Sequence, residues 1–148
     1  MSFSRFFVPF IVVIGSVSVL GQTQPKPVAT PPIAQASKAT AAYAEVALKR
    51  ADVEAELESL LVEYTDEFPK VKELKYALTR VDAEGARLAS IKSGDRATAA
   101  LGKLMVRKVE ADVELWKVQQ DYADNHPDVR RAKKKVEIYE KAIKEILG

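Results

Sequence analysis

The sequence predicts an all-α protein whose four helices form two tandem αα-hairpin repeats, packed as a four-helix bundle or antiparallel coiled coil. The composition points that way, because 30% of the 148 residues are charged, 47% are hydrophobic and only six are glycine. This balance is typical of long helices. Apolar residues also recur at alternating steps of three and four, which is the spacing of one helix face. Finally, a proline-containing phrase occurs twice, as YTDEFPKV at 64–71 and as YADNHPDV at 122–129.

Residues 1–21 predict a secretory signal peptide. Arg5 precedes an apolar run over residues 6–20, and the small Gly21 suits signal-peptidase cleavage. The run is shorter than the roughly 20 apolar residues that a spanning helix needs. The alternative is an uncleaved N-terminal membrane anchor. Either interpretation places the rest of the chain outside the cytoplasm, in the periplasm or secreted.

Residues 22–36 predict a linker. Four prolines stand among small and polar residues in this segment, and such a composition favours an extended, semi-rigid chain without a core. We expect it to hold the folded part away from a membrane or from the cleavage site.

The sequence predicts two copies of one helical unit, at residues 37–92 and 95–148. Tyr122 lies 58 positions after Tyr64, and the alignment at this offset needs no gap. The offset relates further identical residues along the unit: Leu57 to Leu115, Asp66 to Asp124, Pro69 to Pro127, Val71 to Val129 and Lys75 to Lys133. A match spread over the whole unit indicates a tandem repeat.

Each unit is expected to begin at a helix N-cap and to contain two helices. Ser37 and Asp95 favour N-cap positions, and Gly94 is a residue type that ends helices. Pro69 and Pro127 suit the first turn of each second helix, where the missing N–H costs no hydrogen bond. The intervening polar residues then form turns. The turn motif comprises Tyr64, Asp66, Pro69, Tyr122, Asp124, His126 and Pro127, with each tyrosine at the end of an apolar seam.

One long, kinked, antiparallel helical hairpin is the alternative architecture. A heptad pattern reads alike in both directions, so the sequence leaves open whether each proline reverses the chain or only kinks a helix. Both arrangements place the first helix beside the last. The four acidic residues between positions 52 and 58 would then face the basic run at 130–135.

Catalytic and metal sites find little support in the sequence. The absence of cysteine excludes disulfides, thiolate metal sites and cysteine nucleophiles. His126 is the single histidine and its counterpart in the first copy is Phe68, so a capping role is favoured over catalysis. Asp121 and Asp124 lack the spacing and the glycine of an EF-hand loop. We expect a non-enzymatic protein that needs no cofactor or metal.

The strongest charge cluster is the run RRAKKK. Its cations are Arg130, Arg131, Lys133, Lys134 and Lys135. Such a cluster is typical of a surface that binds anionic polysaccharide or lipid headgroups, and a solvated helix face is the alternative. Nucleic acid is not an expected partner, because the formal net charge is only +2 and the chain is predicted to be secreted.

The third predicted helix carries a second apolar stripe beside its main seam. The stripe consists of Val106, Val109, Val113 and Trp116. A helix that is apolar on two faces is either buried on two sides or presents one face to a partner. The stripe therefore predicts a wider intramolecular core or a self-association surface.

The turn motif resembles the extracytoplasmic coiled coil of the polysaccharide chain-length determinant (co-polymerase) family. Members carry a similar phrase, a tyrosine followed by HP and a valine, between helices. YADNHPDV matches it closely, whereas YTDEFPKV has Phe68 in place of the histidine. Family members have a transmembrane helix at each end and an α/β base next to the membrane, which this sequence does not show. The resemblance therefore implies only the helical stalk, duplicated.

Together these patterns predict a helical coiled-coil protein of a bacterial envelope. It would act as a structural or adaptor module linked to surface polysaccharide assembly or export, by self-association or by docking onto another envelope coiled coil. The alternative is a binding protein for anionic envelope polymer that uses the basic run. Membrane contact is expected only if residues 1–21 stay attached.

Overall fold

The computed structural model describes residues 40–92 and 94–148 and confirms the all-α prediction. The signal peptide (1–21), the linker (22–36) and Ser37 lie outside the described residues. The helices are α1 (Ala41–Leu61), α2 (Pro69–Ala89), α3 (Ala99–Asp121) and α4 (Pro127–Leu147), and a 3₁₀ turn, Gly94–Arg96, precedes α3.

The first helix of each unit has a threonine as its N-cap, and in the second unit this is not the predicted Asp95. The hydroxyls of Thr40 and Thr98 accept hydrogen bonds from the backbone N–H three residues later, at 3.3 Å in both cases. These two threonines are related by the 58-residue offset. The N-cap prediction for Asp95 was wrong because this residue lies inside the 3₁₀ turn, which ends before the helix starts.

Gly94 does not end α2 as predicted. Helix α2 finishes with Ser90 as its C-cap, and Gly94 opens the 3₁₀ turn, where its carbonyl accepts a hydrogen bond from Ala97 N–H at 3.0 Å. A β-carbon added at Gly94 would meet nothing within 4 Å, so the position does not require glycine for space.

Each unit is a true antiparallel hairpin rather than a kinked helix. We call α1 with α2 hairpin 1, and α3 with α4 hairpin 2. Arg50 of α1 donates to Asp82 of α2 at 2.9 Å, and Lys108 of α3 lies 3.9 Å from Glu140 of α4. These pairs join the middle of one helix to the middle of the next, so the chain reverses between them.

The hairpins stack with α3 at the centre. Helix α3 packs against α1, α2 and α4. It runs parallel to α1, because Gly102 lies against Ala42 and, further along both helices, Glu110 pairs with Lys49 at 3.3 Å. It runs antiparallel to α2, because Asp112 pairs with Arg80 at 2.8 Å whereas Lys108, earlier in α3, pairs with Glu84, later in α2, at 2.9 Å. Helix α3 thus packs against both helices of the preceding hairpin. Consecutive helical hairpins stack in this way in α-solenoid repeats.

The expected contact between the first and last helices was wrong. Helix α1 lies against α2 and α3, whereas α4 packs mainly against α3 and reaches α2 through the Arg87–Glu140 ion pair. The charges follow this arrangement. Glu56 of α1 pairs with Lys70 at 3.3 Å, and Lys135 of the basic run pairs with Glu114 of α3. The acidic residues of α1 therefore do not face residues 130–135.

The core consists of two apolar clusters along this stack. The larger cluster lies between the hairpins and includes Leu101 and Met105, both fully buried. The smaller cluster lies near the first turn and includes Val71 and Leu74. Burial of one such side chain stabilises the fold by about 1.5–3 kcal/mol. The two clusters meet at Val113, which packs against both.

Candidate interaction surfaces

The two copies of the turn motif fold in the same way. The ring of Tyr64 stacks on Phe68 with centroids 4.2 Å apart, and the ring of Tyr122 stacks on His126 at 4.1 Å. The N–H of each stacked partner donates to the carbonyl three residues earlier, at 3.0 Å and 2.9 Å. Phenylalanine and histidine both fit this stack, because the tyrosine packs on the flat face of either ring.

An acid-to-lysine ion pair supports each turn from the following helix. Asp66 pairs with Lys75 at 2.8 Å, and Asp124 pairs with Lys133 at 3.0 Å. The hydrogen bond from Lys133, helped by one from Gln119, lowers the pKa of Asp124 below its ordinary value. Because α1 and α3 are parallel, both turns lie at the same end of the molecule.

His126 occupies the N-cap of α4. Its Nδ1 accepts a hydrogen bond from the backbone N–H of Asp128 at 3.3 Å, and Pro127 fills the first helical position. At the equivalent position of hairpin 1, Phe68 provides no side-chain cap. This is the capping geometry that the sequence favours.

The basic run lies on the exposed surface of α4, and most of its charges have carboxylate partners in the chain. Lys133 pairs with Asp124, Lys134 with Glu137 and Lys135 with Glu114; Arg131 pairs with Asp128. Among the described residues, only Arg130 of the run forms no side-chain pair. The side chains of Arg131 and Lys134 are 81% and 71% exposed, so they still reach solvent.

The second apolar stripe of α3 faces hairpin 1. Val109 is 2% exposed, and Val106 and Val113 pack against the core. Trp116 stacks on Tyr76 of α2, with ring centroids 5.3 Å apart. One edge of Trp116 remains accessible in an open groove that also contains Phe68. A role for Trp116 in binding a partner stays a prediction.

A buried ionic network joins three helices, and the sequence interpretation missed it. Lys108 donates to Glu84 at 2.9 Å and to Asp112 at 3.0 Å, and all three are nearly inaccessible to solvent. Arg80 donates to Asp112 at 2.8 Å, and Arg87 reaches Glu140 of α4 at 3.1 Å and Glu84 at 3.7 Å. Three cations thus balance three carboxylates.

Burial and pairing act in opposite directions on the network. Burial by itself lowers the pKa of Lys108, but its hydrogen bonds to Glu84 and Asp112 outweigh burial, so the pKa lies above its ordinary value of 10.5. One oxygen of Glu84, Oε2, is buried without a hydrogen bond among the described residues. The guanidinium of Arg87 supplies the nearby positive charge for that oxygen.

A signal for this network is present in the sequence. Lys108 and Asp112 follow Met105 at steps of three and four, so they continue the same buried face of α3. A lysine and an aspartate at i and i+4 inside an apolar stripe indicate a pair that has to find partners on a neighbouring helix.

Several large apolar side chains point to solvent on the outer helices. Leu48 of α1 is 61% exposed, and Ile138 of α4 is 59% exposed; Val62 and Ile146 are also exposed. An open groove of about 360 Å³ lies where α1, α2 and α3 meet, with Val53 on its floor.

No group of three metal-ligating side chains occurs among residues 40–92 and 94–148. Within that same part of the chain, no helix is both long and apolar enough to cross a bilayer.

Comparison of the chain with protein-family models, with curated proteins and with solved structures finds no match. The resemblance to the chain-length determinant family therefore stays a prediction, supported by the turn motif.

Proposed function

We propose that this protein is a non-enzymatic helical module of a bacterial envelope that works through the outward faces of its two hairpins. The exposed apolar side chains support this most directly. Leu48 and Ile138 are each more than half exposed on opposite ends of the stack. Contiguous apolar patches on a surface mark contact sites for other proteins, and Leu48 shares its outward face with the exposed Ala44, Ala51 and Ala55.

The use of the ionisable groups is consistent with a scaffold. The buried charges of Glu84, Lys108 and Asp112 are directed at each other across helices, where they fix how the hairpins meet. The tandem turns, related by the 58-residue offset, present two similar tips at one end. The predicted signal segment supports a location in the envelope, and the resemblance of the turn motif supports a link to surface polysaccharide assembly or export.

Site-specific photo-crosslinking in growing bacteria tests this function. A photoreactive amino acid is placed at Leu48, at Ile138 or at the control position Thr79, which is exposed on α2. We expect covalent protein adducts from the first two positions in the envelope fraction and few from Thr79. A chain found only in the cytoplasm, or equal labelling from all three positions, would contradict the proposal.

Binding of anionic envelope polymer through the basic run is the second candidate. The exposed side chains of Arg131 and Lys134, and the unpaired Arg130, favour it. The local carboxylates reduce the net charge of this face, so we expect weak, salt-sensitive binding.

Chromatography of the full chain on immobilised dextran sulfate tests this candidate. The double variant Arg130→Gln, Lys133→Gln is compared with Lys72→Gln, Lys75→Gln, which changes the equivalent positions of hairpin 1. Elution of the first variant at lower salt than the second supports polymer binding. Equal losses in both variants would mean that only overall charge matters.

A further inference from the structure

Where the two hairpins stack, one face of α3 packs on the surface of hairpin 1. We call this face of α3 the donor face, and we call the surface of hairpin 1 that holds it the receiving face. On the donor face, Gly102 lies so close to α1 that an added β-carbon would be 2.7 Å from the carbonyl oxygen of Ala42. The packing continues through Val106 and Val109, next to the core cluster between the hairpins. The same helix contact is closed by the Lys49–Glu110 ion pair at 3.3 Å.

The counterpart of the donor face is the outer surface of α1. At the 58-residue offset, Ala44, Leu48, Ala51 and Ala55 replace Gly102, Val106, Val109 and Val113. All four are exposed, and Leu48 is the most prominent at 61%. A face that is buried in the second copy is thus repeated in the first copy with apolar residues, and no helix among residues 40–92 and 94–148 covers it.

The counterpart of the receiving face is the outer surface of hairpin 2. Here Leu104 replaces Val46, and Ile146 replaces Leu88. Ile138 and Ala142 stand where hairpin 1 has the charged residues Arg80 and Glu84. Ile138 is 59% and Ile146 is 37% exposed. The surface is therefore more apolar toward the C-terminal half of α4, whereas Lys134 and Lys135 stand where hairpin 1 has Tyr76 and Ala77.

The charges of the joint are repeated with the same signs. The counterparts of Lys49 and Glu110 are Arg107 on hairpin 2 and Asp52 on α1. Both are exposed, and the side chain of neither one forms an ion pair or hydrogen bond among the described residues. An unpaired cation on the receiving side and an unpaired anion on the donor side are complementary only between different copies.

On the premise that the protein works as an interaction module, we propose that its partner is a second copy bound head to tail. The outer face of α1 in one molecule docks onto the outer face of hairpin 2 in the next, with Asp52 beside Arg107. The hairpins then continue the stacking seen inside one chain. Because the two contact faces differ, the contact is heterologous, and each added copy leaves one free face for the next copy.

The joint between copies is wider than the joint within a chain. Ala44 brings a methyl group to the position of Gly102, where the chain allows no β-carbon. Ile138 and Ala142 also offer no partners for ion pairs like those of Arg80 and Glu84. The association is therefore weaker than the intramolecular stacking and responds to protein concentration.

Complementation between two blocked variants tests this geometry. Leu48→Glu blocks the donor face and Ile138→Glu blocks the receiving face, and both sites are exposed, so folding should persist and is checked by circular dichroism. The full chain is expressed with its own N-terminus and its mass is followed by light scattering against concentration. We expect the unmodified protein and the Thr79→Glu control to grow beyond dimers.

Each blocked variant alone should have the mass of a single chain, whereas an equimolar mixture should form heterodimers and stop there. This pattern arises only when two different faces meet. Mixing Asp52→Cys with Arg107→Cys chains should likewise give a disulfide-linked heterodimer, since the natural sequence has no cysteine.

Three results would overturn the proposal: a single-chain mass for the unmodified protein at every concentration, no complementation in the mixture, or a Leu48 crosslink to residues 22–36 of its own chain. The proposed function fails separately. If Leu48 and Ile138 crosslink to a different envelope protein while the purified chain stays monomeric, the role as an interaction module is supported and the head-to-tail assembly is excluded.

Discussion

Hairpin 1 and hairpin 2 have the same turns and helix starts but different stacking faces. Thr40 and Thr98 cap the first helices alike, and the aromatic stack closes both turns. The faces diverge where hairpin 1 has Arg80 and hairpin 2 has Ile138. Local geometry is thus preserved in both copies, whereas the residues of the stacking faces differ.

The difference is sharpest in the buried charges. Lys108 in hairpin 2 and Arg50 in hairpin 1 are equivalent, and each pairs with an acid four residues later. The side chain of Lys108 is 7% exposed, because hairpin 1 covers it, while that of Arg50 is 44% exposed and no second hairpin covers it in the part of the chain that the structure describes. The same sequence pattern therefore contributes to the core in one copy and to the surface in the other.

Replacing Lys108 by methionine should have the largest effect. The change leaves the carboxylates of Glu84 and Asp112 buried without their shared cation, and such a loss costs about 3–5 kcal/mol. Arg50→Met, at the equivalent exposed position, should change the free energy of unfolding far less. Urea denaturation followed by circular dichroism compares the two. Equal effects would show that burial by the other hairpin does not distinguish them.

The two glycines inside helices should respond in opposite directions to alanine. We expect Gly102→Ala to destabilise by about 2 kcal/mol net, since overpacking against the α1 backbone costs up to about 3 kcal/mol and better helix propensity returns about 1. At Gly85 the nearest atom to an added β-carbon is 4.0 Å away. Gly85→Ala should therefore stabilise by about 0.5–1 kcal/mol. Thermal unfolding of both variants decides, and stabilisation by Gly102→Ala would contradict the close approach.

Alkaline pH should weaken the joint between the hairpins. The folded-state pKa of Lys108 is raised above 10.5, so its contribution to stability is fully present below that pH and is lost as the pH rises through the folded-state pKa. The difference in unfolding free energy between the natural protein and Lys108→Met should accordingly shrink above pH 10.5. Urea denaturation across a pH series measures it, and a constant difference would exclude Lys108 as the titrating group.

The smallest expected effect comes from making the turns alike. His126→Phe keeps an aromatic ring for Tyr122 but removes the Nδ1 that accepts from Asp128 N–H, as in the natural first turn. Loss of this N-cap should cost about 0.5 kcal/mol, at the lower end for helix caps. His126→Ala, which also removes the stack, serves as the comparison in the same denaturation assay. A larger loss for phenylalanine than for alanine would mean that ring stacking does not support the turn.

Repeats, heptads and prolines were sufficient to predict the helices. Pro69 and Pro127 occupy the first helical position of α2 and α4, because proline is compatible with a helix start but not with its interior. The N-cap at Thr98 was missed in favour of Asp95, since both residue types cap helices and only the intervening 3₁₀ turn separates them.

The candidate surfaces depended much more on tertiary structure. Residues 130–135 were predicted to be a binding surface from their charge alone. Their carboxylate partners are evident only from the structure, in which α3 packs against α4. The sequence did not indicate which surface covers the apolar stripe through Val109. In the structure, hairpin 1 packs over this stripe.

The sequence by itself determined that the chain forms two similar units of two helices each, because turn residues, caps and apolar spacing act within a few positions of each other. Only the tertiary structure decided that each unit folds back as a hairpin and how the hairpins meet. A heptad pattern specifies that a face is buried but not which helix covers it. The partner of each face follows from shape and charge between distant residues, such as Gly102 on Ala42 and Lys108 between Glu84 and Asp112.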